Sequence, residues 1–571
     1  MPIEDGDDFM TALNIPVGVS DFSEIRQKNY YFIDKSGLIE ELLKTTATKV
    51  TLITRPRRFG KTLGMSMLAA FFDIRKDSSS LFTGLEISKN RDLCEAWMNQ
   101  WPTVFFSFKD VDGLNFEDAY NRLVAQISNL YKKHTYLLEC SDIDEDDKTI
   151  FRAVKSGTAN KTQISQALST LTRLLQIYHQ KQVVLLLDEY DVPIAKASDK
   201  GYYQEMLDIM KVLLSTVLKD NESLRFAFIT GCLKIAKESV FTGTNNLVTD
   251  SITSSRLDEY FGFTQKDIDK LLKDAKATEK TEIMKDWYDG YHFGEADVYC
   301  PWDVMNYMRE LLQNPNAKPE SYWKNTSDNA IIRSFIDYAG SSITKKLEVL
   351  LEGDYIVQRV DESLTYDYLH SSEENLWSIL YLTGYLTKVR EENLKAPLPE
   401  KYTALIIPNA EIKEIFETTV INWFDDNAKI WNRKALFDAI WYGDSKTITA
   451  EMTKLLRKTI SYHDYKEDFY HAFLAGIFAG AGYTVESNKE HGEGRSDIVV
   501  YDASEGRAAV FEVKNSKTLN DMEEDCEKAL EQIRDRKYAE SLRDEYEEVI
   551  CYGVAFYKKR CAVKREKRME M

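Results

Sequence analysis

No apolar run in this 571-residue chain approaches the ~20 residues that a helix needs to cross a bilayer. The first eight residues, Met-Pro-Ile-Glu-Asp-Gly-Asp-Asp, are acidic where a secretory signal would be basic and then apolar. A cytoplasmic location without a membrane partner is therefore expected. Paired cysteines are lacking as well. The seven cysteines (Cys94, Cys140, Cys232, Cys300, Cys526, Cys551, Cys561) are odd in number, scattered and never spaced C-x-x-C, which argues against a disulfide framework and against structural zinc. There is no internal repeat, no low-complexity tract and no apolar stripe that announces an interface, so a homo-oligomer is left open. Positive charge is also short: 74 Lys and Arg against 93 Asp and Glu give a net charge of −19. That excludes a broad basic coat for nucleic acid and leaves room for a local groove.

With 43% hydrophobic and 29% charged residues, the chain has the composition of a globular protein. Its length exceeds one hydrophobic core and predicts two to four domains. Basic residues cluster at Arg55, Arg57 and Arg58, and again from Lys558 to Arg568. The second run fits a solvated edge strand or a frayed end as well as a nucleic-acid contact.

The most informative stretch is Thr54-Arg-Pro-Arg-Arg-Phe-Gly-Lys-Thr62. Gly60 lets backbone close on a phosphate, Lys61 can reach the β and γ phosphates, and the Thr62 hydroxyl can ligand Mg²⁺. The first glycine of the usual G-x-x-x-x-G-K-[ST] pattern is missing, and Arg55 stands there. The flanks supply the required context: Lys49–Thr54 reads as a buried strand, and Lys61–Phe72 carries apolar residues at helical spacing. A second motif, Gln182-Val-Val-Leu-Leu-Leu-Asp188-Glu189, fits a central parallel strand that delivers carboxylates at its C-terminal edge, where ligands bind in open α/β sheets. Asp188 would hold the Mg²⁺ shell and Glu189 would orient and deprotonate the attacking water. A buried strand with a solvated acidic turn has the same pattern. A third strand, Leu224–Gly231, ends where a group sensing the γ phosphate would sit, and Thr230 or Lys234 could fill that place.

Val17–Phe22, Tyr30–Lys35, Arg55–Thr62, Leu187-Asp-Glu-Tyr-Asp-Val-Pro193, Phe241 with Asn245-Asn246, Trp287–Tyr291 and Tyr299-Cys-Pro-Trp302 follow one another in order. Together they resemble the AAA-ATPase-like family of prokaryotic P-loop proteins. The family's own loop is R-P-R-R-F-G-K-T, so the resemblance makes Arg55 a family trait. It implies ATP binding through Arg55, Arg57, Arg58, Gly60, Lys61, Thr62 and Asp188, to which the third strand end adds Thr230 as a candidate. Thr264 and Asp267 form a variant capping box that opens a helical segment running to about Leu312, the position of a lid. Residues 313–320 read as a connecting loop, and short strands such as Tyr402–Ile407 alternate with helices as far as about Ile460. Small winged-helix modules have this texture, and so do many α+β connectors; no base-reading signature is present.

Near the C-terminus, Gly494–Tyr501, the turn Asp502–Gly506 and Ala508–Lys514 read as a β-hairpin. A turn centred on Ser504 and Glu505 places Asp497 opposite Glu512, with Lys514 on the same face as Glu512. Two carboxylates and a lysine can hold Mg²⁺ or Mn²⁺ beside an activated water, which is the chemistry of phosphodiester hydrolysis. An outer strand face that merely alternates charge is the plainer explanation. The spacing D-x(14)-E-V-K, followed by a helix containing Gln532, resembles the PD-(D/E)xK nuclease fold. Gly492–Asp497 and Tyr470-His-Ala-Phe473 resemble the form of that fold that accompanies the AAA-ATPase-like family. The resemblance implies Asp497, Glu512 and Lys514 as metal and catalytic residues, Gln532 as an accessory group and Glu467 as a further carboxylate for the metal. Ser496 stands where the name-giving proline would precede Asp497.

The expected architecture is α/β: a P-loop NTPase core over 1–262, a helical lid over 263–312, an α+β connecting region over 313–460, and a restriction-endonuclease-like α/β domain over 461–571. Two functions fit. One is an ATPase that controls a metal-dependent nuclease acting on DNA or RNA, in defence or mobile-element biology. The other is a nucleotide-dependent switch whose C-terminal domain binds nucleic acid or a partner without cutting. Three arginines beside the loop imply tight phosphate binding or charge stabilisation during hydrolysis. Replacing Arg57 and Arg58 with Ala is expected to weaken ATP binding or turnover, measured by nucleotide titration and phosphate release; unchanged values for both would remove that role.

Overall fold

A computed structural model of the chain describes residues 13–44, 47–234, 241, 247–323, 341–362, 364, 372–419, 434–459, 470, 474–475, 477–478, 483–491, 494–502, 505–543, 545–558 and 560–566. The chain divides into two compact units, Met1–Ser327 with Tyr355–Lys413, and Asp328–Asp354 with Glu414–Met571.

The first unit is built on five parallel strands: β1 (Val50–Thr54), β2 (Thr103–Ser107), β3 (Val183–Asp188), β4 (Leu224–Gly231) and β5 (Leu247–Asp250), in the order β2-β3-β4-β1-β5. Every residue of β1 and of β3 is buried. Continuous apolar runs of this kind are what a parallel sheet covered on both faces requires. Helices Phe116–Lys132, Ala167–His179 and Tyr203–Leu218 supply Leu123, Ile127, Leu171, Leu174, Leu213 and Leu214 to a core shared with Val104, Leu185, Leu187 and Ile229. Two helices carry their own start signals: the Asn115 side chain accepts from Asp118 N at the head of Phe116–Lys132, and Asp144 does the same for Asp147 N at the head of Glu145–Ser156. The register pairs Thr54 with Gly231 and Ser107 with Asp188. The C-terminal ends of β1 to β4 therefore lie side by side, the position that serves ligands in open α/β sheets.

Thr264 caps helix Gln265–Asp274 in a reciprocal box with Asp267, as its sequence predicts. The helical segment expected to run on to Leu312 is interrupted by strands. After helix Thr281–Tyr288 the chain forms a hairpin of β6 (Tyr291–Phe293) and β7 (Ala296–Val298) before helix Pro301–Gln313 begins. Gly290 and Gly294 both take left-handed φ, at 94° and 51°. A Cβ on Gly290 would lie 2.0 Å from the Pro408 carbonyl oxygen, so only glycine suits this turn. Further on, β8 (Ile356–Arg359), β9 (Thr387–Lys388) and β10 (Tyr402–Ile406) make an antiparallel sheet in the order β8-β10-β9. They belong to the first unit, so residues 313–460 are shared between the two units rather than forming one region of their own.

The second unit holds a mixed sheet in chain order: β11 (Thr484–His491), β12 (Gly494–Asp502), β13 (Arg507–Asn515), β14 (Glu548–Tyr557) and β15 (Arg560–Arg565). Only β13 and β14 run parallel. They are joined by helix Met522–Asp535, the crossover that a parallel pair needs. One sheet face, including Ile498, Phe511 and Tyr552, packs on Phe437, Ile440, Met452 and Leu456 from helices Lys434–Tyr442 and Ser445–Thr459. The other face, with Val499, Val510 and Cys551, packs on Leu530 and Ile533. The basic run near the C-terminus forms the edge strand β15, where Lys564 pairs with Glu527 at 3.0 Å; Lys559, Lys567 and Arg568 lie outside the described residues. This edge is covered rather than left open, because Val563 N donates to Thr449 Oγ1 (3.0 Å) and Cys561 N to Thr453 Oγ1 (3.1 Å).

Helix Met522–Asp535 approaches β14 at Gly553, where a Cβ would meet the Cys526 carbonyl oxygen at 2.1 Å. Gly553→Ala should destabilise the second unit by ~1–3 kcal/mol through overpacking. Urea unfolding followed by hydrogen exchange of the β14 amides checks this, and an unchanged midpoint would contradict the close approach.

Candidate functional sites

The first candidate site lies where β1, β2, β3 and β4 end. Helix Lys61–Phe72 starts there without a side-chain cap, headed by Gly60 at φ 81°. Nothing lies within 4 Å of a Cβ built on Gly60, so the helix terminus opens onto free space suited to an anion. Arg58 also takes a left-handed φ of 72°. Non-glycine residues in this region carry strain that clusters at ligand sites. The Asp188 carboxylate is fully buried and gathers three hydroxyls. Thr230 Oγ1 donates at 2.6 Å, Thr62 Oγ1 at 3.0 Å and Ser107 Oγ at 3.4 Å. The Lys61 ammonium is held by the carbonyls of Arg55 (2.8 Å) and Pro56 (2.7 Å), with Cys232 Sγ at 3.7 Å. Glu189 is strained at φ 53°, and burial, followed by the Asp188 charge, pushes its carboxyl above the ordinary range. A raised carboxyl beside a charged one is the pattern of a general base.

The residues preceding Gly60 dock the loop. Arg55, expected on the phosphates, is instead enclosed: it donates to the carbonyls of Thr54 (2.9 Å), Asp250 (3.2 Å) and Leu257 (3.3 Å), and its guanidinium lies 5.3 Å from the Phe293 ring. Burial lowers its pKa to about 10, so it stays charged near neutrality. Arg58 covers the Trp302 ring at 5.0 Å, and Phe59 packs edge-on against Tyr291 at 4.9 Å. Pro56 abuts Gly384, where a Cβ would come within 3.0 Å of it. Among these arginines, Arg57 alone is exposed.

The second candidate site is on the β12–β13 hairpin. Its register runs from Asp502 with Arg507 to Ile498 with Phe511, the pair next to Asp497 and Glu512. Both carboxylates are buried. Asp497 Oδ2 accepts from Val513 N at 2.7 Å, and Lys514 Nζ donates to Glu512 Oε1 at 3.2 Å. Glu512 Oε2 has no hydrogen-bond partner among the described residues. Burial, followed by the Asp497 charge, pushes the Glu512 carboxyl up to about 7, with Lys514 acting in the opposite sense. Gln532 sits half-buried on helix Met522–Asp535 and is not hydrogen-bonded to this set through its side chain. Glu467, Ser504 and the stretch His471-Ala-Phe473 lie outside the described residues, as do Asn245 and Asn246. Among the described residues no group of three or more His, Cys, Asp or Glu could hold a metal ion.

Two family models match the chain. Residues 16–241 match a family described as Predicted AAA-ATPase, and residues 465–566 match the PD-(D/E)XK nuclease superfamily. The chain joins an AAA-ATPase-like domain to a PD-(D/E)XK superfamily domain. A protein of Azotobacter chroococcum mcd 1, described as an uncharacterized protein in the vnfD 5' region, is 24% identical over 562 residues, which cover 96% of this chain and 97% of that protein. The likeness therefore extends over both domains. No helix among the described residues is long and apolar enough to cross a membrane.

In the AAA-ATPase-like domain, several residues at the site carry no motif of their own. Ser107 reaches Asp188 only because β2 pairs with β3, and a serine ending the run Thr-Val-Phe-Phe-Ser107 gives no other signal. Cys232 meets Lys61 because β4 ends one residue earlier. Beyond the matched residues, Asp303 and Glu411 are both buried, and burial pushes both carboxyls above the ordinary range. Glu411 also accepts from Trp323 N at 2.8 Å.

In the PD-(D/E)XK domain, the raised Glu512 carboxyl sets the sign of a pH effect. The native state holds its proton up to about 7, whereas the unfolded chain releases it near ~4.3. Stability contributed by the protonated form is therefore lost as pH rises between these values. Without divalent ions, Glu512→Gln should gain ~1–3 kcal/mol relative to the parent between pH 5 and pH 8. Urea unfolding with hydrogen exchange of the β13 amides measures it, and a pH-independent difference would contradict the shift.

Proposed function

We propose that the chain is an ATP-hydrolysing protein whose nucleotide state controls metal-dependent phosphodiester cleavage by its C-terminal domain. What carries this reading is the Asp497, Glu512 and Lys514 constellation, with one buried Glu512 oxygen lacking a hydrogen-bond partner among the described residues. An uncompensated buried carboxylate oxygen is costly, and a cation would offset it. Asp497 and Glu512 fit a hard divalent ion such as Mg²⁺ or Mn²⁺, with Glu467 as a further proposed ligand. When bound, such an ion supplies charge that stabilises the phosphodiester transition state. Lys514 would then orient the nucleophile against the scissile phosphate, and Gln532 would steady the substrate.

In the AAA-ATPase-like domain, residues 55–62 act in this reading as the phosphate-binding loop. The open helix terminus at Gly60 and the Lys61 ammonium suit the β and γ phosphates. Thr62 and Asp188 suit Mg²⁺, since the Thr62 hydroxyl already lies on the Asp188 carboxylate. Glu189 orients the attacking water and takes its proton, and Thr230 holds Asp188 in place. Arg57 meets phosphate, Arg55 braces the loop from behind, and residues 263–312 serve as the lid. The case for control by nucleotide rests on connectivity. Trp323, bonded to Glu411 and stacked on Tyr385 (5.4 Å, 14°), and Glu411 itself each lie shortly before a point where the chain leaves the first unit.

The second reading is a nucleotide-dependent switch whose C-terminal domain binds nucleic acid or a partner without cutting. It is favoured by the two carboxylates, rather than three, that the described residues offer at the hairpin. The deciding experiment incubates the full chain with linear, circular and single-stranded DNA and with RNA, in Mg²⁺ or Mn²⁺, with and without ATP. Cleavage should fall more than ~100-fold in Asp497→Ala and Glu512→Ala, and ATP dependence should vanish in Lys61→Ala. Cleavage that survives both carboxylate substitutions would sink the nuclease, and ATP-independent cleavage by the parent would sink the control.

A further inference from the structure

The tip of β4 touches each part of the proposed nucleotide site. Thr230 Oγ1 donates to Asp188 at 2.6 Å, the Gly231 carbonyl accepts from Arg55 N at 3.1 Å, and Cys232 Sγ lies 3.7 Å from Lys61 Nζ. Strand pairing fixes this backbone only as far as Gly231, which is opposite Thr54. Beyond that residue, the turn after β3 takes over. Asp191 Oδ2 accepts from both Cys232 N (2.9 Å) and Leu233 N (3.0 Å). Tyr190 OH donates to the Leu233 carbonyl at 2.8 Å, and Tyr190 N to the Thr230 carbonyl at 3.1 Å. Both side chains are buried, Tyr190 at 0% exposed and Asp191 at 2%. The fit is close: a Cβ on Gly231 would lie 2.6 Å from Tyr190 Cε1 and 2.8 Å from Asp191 Oδ1.

We propose that Asp191, assisted by Tyr190, is a positioning residue for nucleotide hydrolysis that clamps the tip of β4 so that Thr230 stays on Asp188 and Cys232 on Lys61. The proposal rests on the ATP-hydrolysis reading above. Two acids separated by Tyr190 then do different work: Glu189 serves the proposed reaction, and Asp191 fixes the backbone at the tip of β4. A single carboxylate oxygen serves both amides, so the requirement is for an acceptor at that point. An asparagine can supply it, and an alanine cannot. Loss of the clamp leaves the open helix terminus at Gly60 intact, so ground-state binding of ATP should persist while the arrangement needed for hydrolysis is lost.

The test uses the full chain with Asp191→Ala, Asp191→Asn and Tyr190→Phe. It measures mant-ATP affinity, steady-state phosphate release with Mg²⁺, and exchange of the Cys232 and Leu233 amides. Asp191→Ala should lower kcat at least tenfold with affinity within threefold of the parent, and Asp191→Asn should restore kcat to within threefold. Tyr190→Phe, which keeps both Asp191 bonds, should fall between them and provides the comparison if the alanine variant does not fold. Amide exchange at Cys232 and Leu233 should quicken in Asp191→Ala and not in Asp191→Asn. A kcat within twofold of the parent in Asp191→Ala overturns the proposal, as does a parallel loss of affinity and kcat that Asn fails to rescue. If the parent binds ATP and releases no phosphate, the hydrolysis reading fails on its own. The clamp is then decided by exchange, and equal rates in the parent and Asp191→Ala overturn it.

Discussion

The first unit depends on one buried anion. The Asp188 carboxylate is fully enclosed at the end of a central strand, a position that costs several kcal/mol unless the charge is compensated. Its compensation comes from three hydroxyls on three different elements: Ser107 ending β2, Thr230 near the end of β4, and Thr62 in the first turn of helix Lys61–Phe72. The strand order β2-β3-β4-β1 sets β2 and β4 on either side of Asp188. Fold and site are thus one arrangement, because a different strand order would leave this carboxylate unpaired.

In the proposed reading, the loop before Gly60 accommodates a missing glycine. A phosphate-binding loop of the usual kind relies on glycine at both ends to close its backbone on a ligand. Here four positions before the left-handed turn at Gly60 hold the backbone in place from outside. Arg55 bonds carbonyls of β1, β5 and residue 257; Pro56, Arg58 and Phe59 pack on Gly384, Trp302 and Tyr291. Side-chain docking replaces backbone permissiveness, and it makes the loop answer to residues 291–302 and 384. Those residues in turn lie beside the Trp323 and Glu411 contacts that precede the two exits of the chain from this unit.

Much of this was legible in the sequence, and the reasons differ by element. The strands ending in Thr54, Asp188 and Gly231 announced themselves because burial of most of their residues favours apolar side chains. The β12–β13 hairpin and its register followed from period-two alternation around an Asp-to-Gly turn, which fixes which residues stand opposite. The β6–β7 hairpin was masked by helical patterns on either side and is forced by Gly290 and Gly294, whose need for glycine comes from Pro408 and from Ser254, neighbours far away in sequence. Arg55 was misplaced for the same reason: a basic residue beside a phosphate loop suggests phosphate, and only the tertiary fold supplies the three carbonyls that claim it. Asp191 lay within a legible motif, yet its partners at Cys232 and Leu233 become neighbours only when β3 and β4 pair.

The two sites share one chemical logic, a buried carboxylate at a strand end or hairpin beside a lysine, Asp188 with Lys61 nearby and Glu512 with Lys514. In the C-terminal unit one Glu512 oxygen has no hydrogen-bond partner among the described residues, whereas Asp188 accepts from three hydroxyls. The central claim is that Asp188 joins the strand ends into a nucleotide site through Mg²⁺ and Thr62. Calorimetric titration of ATP into the parent and into Asp188→Ala, with and without Mg²⁺, tests it most directly. Mg²⁺ should tighten ATP binding in the parent and no longer do so in the variant; a variant with the same Mg²⁺ enhancement as the parent would contradict it.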